Sequence, residues 1–207
     1  MRPFWLATII VVVDQITKIV VRTSMQIGDS IPLMGDWLKL TFTENPGMAF
    51  GISLGSSLVV TILAIIATSL IVIYLRAIRD QHVGYRTSLS LILGGAIGNI
   101  IDRIFYARIF EYGEFFRGEV VDFIHIDLWS GRVPEWVPLL GDRYMALFPI
   151  WNVADMSIVV GVACVLFFQK AYQHERLSGR SESEVDTLAE PSESAAVVPA
   201  ESGPSTP

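Results

Sequence analysis

Residues 58–75 read LVVTILAIIATSLIVIYL, a stretch that contains no charged side chain. A helix needs about 20 mostly apolar residues to cross the ~30 Å hydrocarbon layer of a bilayer, and this stretch is close to that length. Three more apolar stretches of similar length lie at residues 4–21, 89–106 and 150–168. The sequence therefore predicts a membrane protein, mainly α-helical, with four transmembrane helices.

The composition agrees with a polytopic membrane protein. Of the 207 residues, 52% are hydrophobic and only 17% are charged, and the mean hydropathy is +0.50. Cys164 is the only cysteine, which excludes a disulfide framework and a thiolate metal cluster. The three histidines are scattered and form no HExxH-type pair. We therefore expect no metal site, no cofactor and no nucleic-acid partner.

Basic residues in the connections orient the predicted helices. Arg76, Arg79 and Arg86 lie between the second and third helices, and further basic residues follow the fourth. Because Lys and Arg are enriched in cytoplasmic loops, both termini and this connection are predicted to be cytoplasmic. Residues 22–56 and 107–147 then lie on the outer side of the membrane.

The outer segments and the C-terminus carry further patterns. Residues 37–43 alternate between apolar and polar side chains, which predicts a strand with one apolar face. Residues 126–147 are rich in tryptophan and aliphatic residues, which indicates an amphipathic segment on the membrane surface. From about Glu175 the chain is acidic and rich in Ser, Pro and Ala, so we expect a disordered tail. The predicted domains are residues 1–172 and 173–207.

Several polar side chains interrupt the apolar helices, where they are costly without partners. Asp14 and Lys18 are four residues apart and share a helix face. They can serve simply to neutralise each other, or they can brace polar groups of a site. Asn99 and Asp102 lie on one face of the third helix, and the amide of Asn99 needs partners. Arg103 can orient a carboxylate by charge-assisted hydrogen bonds.

Small residues mark two further places. Asn45 and Gly47 belong to the turn-rich stretch NPGMAFG, which on its own indicates only a tight turn. Its predicted position at the outer membrane edge also allows contact with a substrate backbone. Gly94, Gly95 and Gly98 lie in the third helix and indicate close packing against a neighbouring helix.

Two aspartates lie in apolar surroundings at the same predicted depth. Asp122 is in VVDFI, residues 120–124, and Asp155 ends FPIWNVAD, residues 148–155. Taken singly, each could be an interfacial carboxylate that pairs with an arginine or ends a strand. Taken together, they could share one proton and activate a water molecule for attack on a peptide bond. They are far apart in the sequence, so only the fold can bring them together.

Five pieces of the sequence, in this order, resemble the bacterial lipoprotein signal peptidase family (signal peptidase II). They are DQITK at residues 14–18, NPGMAF at 45–50, GGAIGNIIDR at 94–103, VVDF at 120–123 and FPIWNVAD at 148–155. The resemblance covers roughly residues 5–170. It implies an aspartic endopeptidase that removes the signal peptide from diacylglyceryl-modified prolipoproteins, cutting before the lipidated cysteine.

The resemblance also implies roles for individual residues and partners. Asp122 and Asp155 match the catalytic dyad of the family. Positions that match supporting or substrate-binding residues are Asp14, Lys18, Asn45, Gly47, Asn99, Asp102, Arg103, Asn152 and Ala154. The implied fold adds a small outer β-cradle and a mobile outer helix to four membrane helices. The implied location is the bacterial inner membrane, with the site near the outer leaflet. Membrane lipid, lipidated prolipoproteins and globomycin-type inhibitors are the implied partners, and a monomer suffices for a dyad within one chain.

The chain departs from the family pattern in four places, one of which is the acidic tail, and two other function classes stay open. Trp151 occupies a position where the family commonly has Phe or another apolar residue, and Pro46 lies inside the Asn-x-Gly motif. Residues 125–148 are longer than is typical. A proton-linked carrier could use Asp14, Lys18, Asn99 and Asp102 as a relay across the membrane. It would need internal repeats or broken helices, and neither is clear in the sequence. A structural membrane subunit whose charges only pair is the third possibility.

Overall fold

The computed structural model describes residues 2–49, 52–53, 57–80, 82–132, 134–136, 141–142, 144–146 and 148–189. Its helices, in chain order, are α1 (Arg2–Ser24), α2 (Ser57–Ala77), α3 (Val83–Ile101), a π-helix (Asp102–Tyr106), the single turn α4 (Ala107–Ile109), and α5 (Val153–Ala189). Its strands are β1 (Ser30–Met34), β2 (Leu38–Asn45), β3 (Met48–Ala49), β4 (Ile52–Ser53), β5 (Val120–Ile126), β6 (Ser130–Arg132), β7 (Tyr144–Ala146) and β8 (Ile150–Trp151).

Within the described residues, four helical stretches are long and apolar enough to cross a membrane, which confirms the predicted membrane architecture. They are Phe4–Ser24, Ser57–Ala77, Val83–Ile109 and Val153–Lys170. The third begins earlier than predicted, because polar residues before Leu89 lower the local hydropathy without breaking the helix. The fourth begins later than predicted, because Ile150–Trp151 forms β8 instead of helix.

A small antiparallel sheet packs at one end of the helices. Its strand order is β1-β2-β5-β8, and β2 confirms the strand predicted at residues 37–43. Leu40 pairs with Ile124 and Thr43 pairs with Asp122, so a bulge in β2 lies between these pairs. A bulge adds a residue to one strand and increases the local twist. Here it fixes which residue of β2 lies opposite Asp122.

Two clusters of buried side chains mark the two ends of the helical bundle. One cluster contains Ala7, Leu75 and Leu93. The other contains Val21 and Phe123 and joins α1 to the sheet. Ala7 and Val21 lie near opposite ends of α1. The sheet therefore lies at the end of the bundle that holds the C-terminal end of α1.

The structure and the sequence differ in the C-terminal segment. Helix α5 continues to Ala189, whereas the sequence predicts disorder from about Glu175. No proline interrupts the chain between Val153 and Pro191, so the backbone hydrogen bonds of the helix can continue past Glu175. Residues 190–207 lie outside the described residues.

The stretch predicted to lie on the membrane surface is described only in part. Its described residues include β6 and β7, which pair as an antiparallel hairpin. Residues 133, 137–140, 143 and 147 lie outside the described part of the chain. Contact of this stretch with the membrane surface stays a prediction.

Glycines on α3 allow it to pack closely against its neighbours. A Cβ on Gly95 would collide with the carbonyl oxygen of Ala154 and lie 2.6 Å from Oγ of Ser157. A Cβ on Gly94 would lie 2.8 Å from Cβ of Ile10 on α1. The predicted packing role of these glycines is therefore confirmed.

Replacing Gly95 with alanine should force α3 and α5 apart at the point where α5 begins. Overpacking of this kind typically costs about 1–3 kcal/mol, so we expect a lower unfolding temperature in detergent. Ala67→Val is a matched control, because it adds carbon atoms at an exposed position of α2. An unchanged unfolding temperature for Gly95→Ala would contradict the close packing of these helices.

Candidate active site

Asp122 and Asp155 are joined through one side-chain amide, that of Asn152. Asn152 donates from Nδ2 to Oδ1 of Asp122 at 2.6 Å. Its Oδ1 accepts a hydrogen bond from the backbone N–H of Asp155 at 2.8 Å. Asn152 immediately precedes α5, and an asparagine at this position caps a helix by binding an N–H of its first turn. The helix cap therefore also holds the carboxyl group delivered by β5.

The electrostatics of Asp122 follow from its burial and from its neighbour. Its side chain is only 3% exposed. Burial is the largest cause that raises the pKa of Asp122 from 3.8 to about 7, and the charge of Asp155 is the second. A carboxyl group with this pKa can hold a proton near neutral pH while a neighbouring carboxylate is ionised.

A second amide, Asn99 of α3, completes the connection between the aspartates. Its Nδ2 donates to Oδ1 of Asp155 at 2.8 Å. Its Oδ1 accepts from Nδ2 of Asn152 at 3.2 Å and from Nζ of Lys18 at 2.8 Å. The sequence predicted that this amide needs partners within the membrane helix, and the structure confirms that it has them.

Lys18 lies at the centre of a buried group of charges. Its Nζ is 2.9 Å from Oδ2 of Asp14 and 2.7 Å from Oδ2 of Asp102. The side chains of all three residues are fully buried. With Asn99 as the third acceptor, each of the three ammonium hydrogens has a partner. The predicted pairing of Asp14 with Lys18 is confirmed, and Asp102 joins it.

The two carboxylates bound to Lys18 also hold the backbone beside each candidate catalytic residue. Oδ1 of Asp14 accepts the N–H of Ala154 at 2.9 Å. Oδ2 of Asp102 accepts the N–H of Val121 at 3.3 Å. Ala154 and Val121 immediately precede Asp155 and Asp122, respectively. The ammonium group of Lys18 thus links the two carboxylates that hold the backbone beside Asp155 and Asp122.

The last residue of β2 contributes a donor to Asp122, and the turn that follows contains Gly47. Asn45 donates from Nδ2 to Oδ2 of Asp122 at 3.3 Å, and its Oδ1 accepts the N–H of Gly47 at 2.9 Å. Gly47 has φ of +111°, a backbone conformation that residues with a Cβ rarely adopt. A Cβ at this position would also lie 3.2 Å from Cγ2 of Val60 on α2. The turn therefore requires glycine.

Arg103 supplies positive charge beside the aspartates. Its charge interacts favourably with those of Asp102, Asp122 and Asp155. Its guanidinium donates to the carbonyl oxygen of Asn99 at 3.2 Å, whereas the sequence predicts hydrogen bonds to a carboxylate. In the described part of the chain, Arg103 therefore acts on the aspartates through its charge.

Two members of the polar cluster were missed in the sequence. Gln15 donates from Nε2 to Oδ1 of Asp102 at 2.8 Å and to Oδ2 of Asp14 at 3.2 Å. Tyr106 donates its hydroxyl to Oε1 of Gln15 at 3.2 Å. An amide within a membrane helix needs partners, so the reasoning applied to Asn99 could have found Gln15. Tyr106 carries no comparable signal.

Every candidate residue from the sequence lies in or beside this cluster. Of the four residues that a carrier would use as a relay, Asp14 and Asp102 bind the backbone next to Asp155 and Asp122. Asn99 binds the side chain of Asp155, and Lys18 binds the other three residues. The arrangement combines two neighbouring carboxyl groups, the raised pKa of Asp122 and hydrogen bonds donated by the side-chain amides of Asn45, Asn99 and Asn152. Such a pair can take a proton from water and give one to a developing oxyanion.

The fold and this site define a small polytopic membrane protein whose four helices carry, at one end, an acid pair made of the buried Asp122 and the partly buried Asp155. Residues 6–170 match the family model described as Signal peptidase (SPase) II. The chain therefore belongs to the signal peptidase II family.

Curated relatives carry the same family name. The chain is 43% identical over 182 residues to the lipoprotein signal peptidase of Amoebophilus asiaticus (strain 5a2), with 81% of this chain and 77% of the relative covered. It is 37% identical over 180 residues to that of Porphyromonas gingivalis (strain ATCC 33277), with 78% and 79% covered. The resemblance identified from the five motifs is confirmed.

Solved structures of bacterial membrane enzymes share the fold. One is 30% identical with a TM-score of 0.62, and the similarity covers 82% of this chain and 88% of that one. Another is 31% identical with a TM-score of 0.58, covering 80% and 90%. The fold class predicted from the sequence, four membrane helices with a small antiparallel sheet, is confirmed.

Proposed function

We propose that this chain is an aspartic endopeptidase that removes the signal peptide from diacylglyceryl-modified prolipoproteins, cutting before the lipidated cysteine. Family membership supports a peptidase that cleaves signal peptides from lipoproteins. The aspartic mechanism is supported by the single amide of Asn152, which binds the side chain of Asp122 and the backbone of Asp155. Asp122 and Asp155 are the proposed catalytic residues.

In the proposed mechanism the dyad carries one proton at rest. The ionised carboxylate takes a proton from a water molecule, whose oxygen attacks the scissile carbonyl carbon. The protonated carboxyl group donates to the developing oxyanion. When the C–N bond breaks, a proton passes to the leaving amine and the dyad returns to its starting state. The pair titrates as a unit, so the shared proton belongs to both residues.

The remaining residues of the cluster are proposed to support this chemistry. Lys18 with Asp14 and Asp102 holds the backbone beside the dyad, while Asn99 and Asn152 orient its carboxyl groups. Arg103 lies near the dyad, where its charge can offset negative charge that develops in the transition state. The remaining proposed supporting positions are Asn45, Gly47 and Ala154.

The proposed location is the bacterial inner membrane, with both termini cytoplasmic and the site near the outer leaflet. The sheet lies at the end of the bundle away from Ala7 and Leu75, and the basic residues Arg76 and Arg79 follow Leu75 closely. Basic residues favour the cytoplasmic side. The substrate would then reach the dyad by lateral diffusion, with its acyl chains and signal helix already in the membrane.

The remaining proposals concern organisation and inhibitors. We propose that residues 1–172 form the peptidase domain and that residues 173–207 form a cytoplasmic tail, although α5 continues from the domain into the tail as far as Ala189. Because one chain supplies both aspartates, a monomer suffices for activity. A globomycin-type inhibitor is expected to compete with the lipidated precursor for the site.

A gel-mobility assay with the purified chain tests the proposed activity. A diacylglyceryl-modified precursor should lose its signal peptide, and a globomycin-type inhibitor should block the change. The same precursor without lipid is the control and should remain intact. Failure of the folded, purified chain to cut the lipidated precursor would refute the proposed function.

The pKa of Asp122 predicts how activity depends on pH. Because the dyad needs its shared proton, the cleavage rate should fall as pH rises above about 7, the value to which burial and Asp155 raise the pKa of Asp122. The rate can be measured from about pH 5 to about pH 9 in single-turnover assays. A constant rate across this range would contradict the shared proton.

The carboxyl group of Asp122 should also make the fold less stable at higher pH. The folded chain binds this proton more tightly than the unfolded chain, where the pKa is near 3.8. The stabilisation that comes from protonated Asp122 is therefore complete below pH 3.8 and is lost as pH rises through about 7. Asp122→Asn is the control, because it removes this part of the pH dependence.

A further inference from the structure

Arg22 lies where three parts of the chain meet, outside the polar cluster. It is in the last turn of α1, one helical turn beyond Lys18, and it forms an ion pair with Glu44 of β2. Its guanidinium carbon lies 4.3 Å from the ring centroid of Phe110 and 4.9 Å from that of Tyr112. The side chains of Arg22 and Glu44 are only 14% and 12% exposed.

Glu44 connects this junction to the strands that carry the site. It pairs with Val121 across β2 and β5, and the N–H of Val121 is held by Asp102. The next residue of β2, Asn45, donates to Oδ2 of Asp122 at 3.3 Å. Successive side chains of a strand point to opposite faces, so Glu44 turns toward Arg22 while Asn45 turns toward the dyad.

Tyr112 connects the junction to the start of β5. Its ring stacks on Arg22, and its hydroxyl oxygen accepts the N–H of Glu119 at 3.1 Å. Glu119 immediately precedes β5, the strand that delivers Asp122. A planar guanidinium can pair with a carboxylate and stack on aromatic rings at the same time, which a lysine ammonium cannot do equally well.

We infer that Arg22 is a positioning residue for Asp122, because it ties β2 through Glu44 and the start of β5 through Tyr112 to the end of α1. This inference rests on the proposed function, in which Asp122 is catalytic. Arg22 contacts Glu44, Phe110 and Tyr112, so its influence on the dyad passes through the backbone of the two strands. A displacement of about 1 Å at a reacting group can cost up to about 100-fold in rate.

The main test compares Arg22→Met with Arg22→Lys in cleavage of a diacylglyceryl-modified precursor by the purified full chain. Arg22→Met removes the charge and should lower kcat about 10- to 100-fold while KM changes by less than about twofold. Arg22→Lys keeps the charge but loses the planar stacking, so its kcat should lie between those of the wild type and Arg22→Met. Arg132→Met is the matched control, because the ion pair of Arg132 with Asp142 is largely exposed, and it should leave kcat unchanged.

A pH profile separates positioning from general stability. The charged groups that act on Asp122 are Asp155 of α5, Lys18 of α1 and Arg103 of the π-helix. The hydrogen bond from Asn45 favours the ionised form of Asp122. Loss of that bond should raise the pKa of Asp122 and move the alkaline limb of the profile to higher pH. Arg22→Met and Asn45→Ala should therefore shift the limb in the same direction.

Two further variants test the two connections separately. Glu44→Gln should reproduce most of the effect of Arg22→Met, and the double variant should be little worse than either, because the pair acts as a unit. Tyr112→Phe keeps the ring but removes the acceptor for the N–H of Glu119, so it should lower kcat by less than Arg22→Met does. If Arg22→Met cannot be recovered folded, Arg22→Lys and Tyr112→Phe carry the same test.

Four results are decisive. Wild-type kcat in folded Arg22→Met or Glu44→Gln would overturn the inference. A lower unfolding temperature with an unchanged pH profile and an unchanged rate per folded molecule would also overturn it, since the role would then be only structural. Full activity of Asp122→Asn would refute the proposed dyad itself, whereas inactive Asp122→Asn beside normal Arg22→Met would refute only the role of Arg22.

Discussion

Asp122→Asn and Asp155→Asn should each abolish cleavage of the lipidated precursor, with a rate loss of at least about 10³-fold. General acid and base steps typically contribute about 10²- to 10⁴-fold each, and each aspartate serves in both. Asparagine keeps the shape of the side chain and one oxygen to accept the hydrogen bond from Asn152 or Asn99. The variants should therefore insert and fold, and lose only the proton chemistry.

Single-turnover cleavage at matched amounts of folded protein measures this effect. Because the two residues act as a unit, the double variant should be no slower than either single variant. Asp80→Asn is the control, since Asp80 is 81% exposed and pairs with Arg79. Processing of the precursor by either dyad variant at close to the rate of the Asp80 control would refute the aspartic mechanism.

Lys18→Met should strongly destabilise the protein as well as inactivate it. The ammonium group of Lys18 binds Asp14 and Asp102 in a fully buried environment. Its removal leaves two buried carboxylates without a counter-charge, and breaking a buried ion pair in this way costs about 3–5 kcal/mol. The hydrogen bonds that hold the N–H groups of Val121 and Ala154 would weaken together, so the positions of both Asp122 and Asp155 should be disturbed.

Denaturation in mixed micelles or bicelles measures this loss of stability. Adding Asp102→Asn to Lys18→Met should recover part of it, because one uncompensated charge is removed. Lys39→Met is a matched control, since Lys39 pairs with Asp127 at a partly exposed place where such pairs contribute about 0–1 kcal/mol. If Lys18→Met proves as stable as the Lys39 variant, the buried charges do not hold the site together.

The features that the sequence predicted correctly are those that depend on local patterns. Hydropathy and length identified the four membrane helices, and the spacing of Asp14 and Lys18 identified their ion pair. The alternation at residues 37–43 identified β2. Its bulge between Leu40 and Thr43 could not be seen, because a bulge is a relation between two strands.

The meeting of Asp122 and Asp155 depends on tertiary structure. It requires β5 to pair with β8 and α5 to begin at the residue after Asn152, so that one amide reaches both aspartates. Hydropathy extended the fourth membrane helix back to Ile150 and so concealed this helix cap. Asn152 and Ala154 were identified through the family resemblance alone, because an amide and a small residue carry little signal of their own.

Asp122 and Asp155 are proposed to share a proton, and infrared titration of the protonated carboxyl C=O stretch can detect that sharing. The wild-type protein should show a carboxyl group that titrates near pH 7 and that is missing from Asp122→Asn. In Asp155→Asn the same titration should move to lower pH, because the neighbouring charge that helps to raise the pKa of Asp122 is gone. A titration that stays at the same pH in Asp155→Asn would show that the two carboxyl groups do not interact.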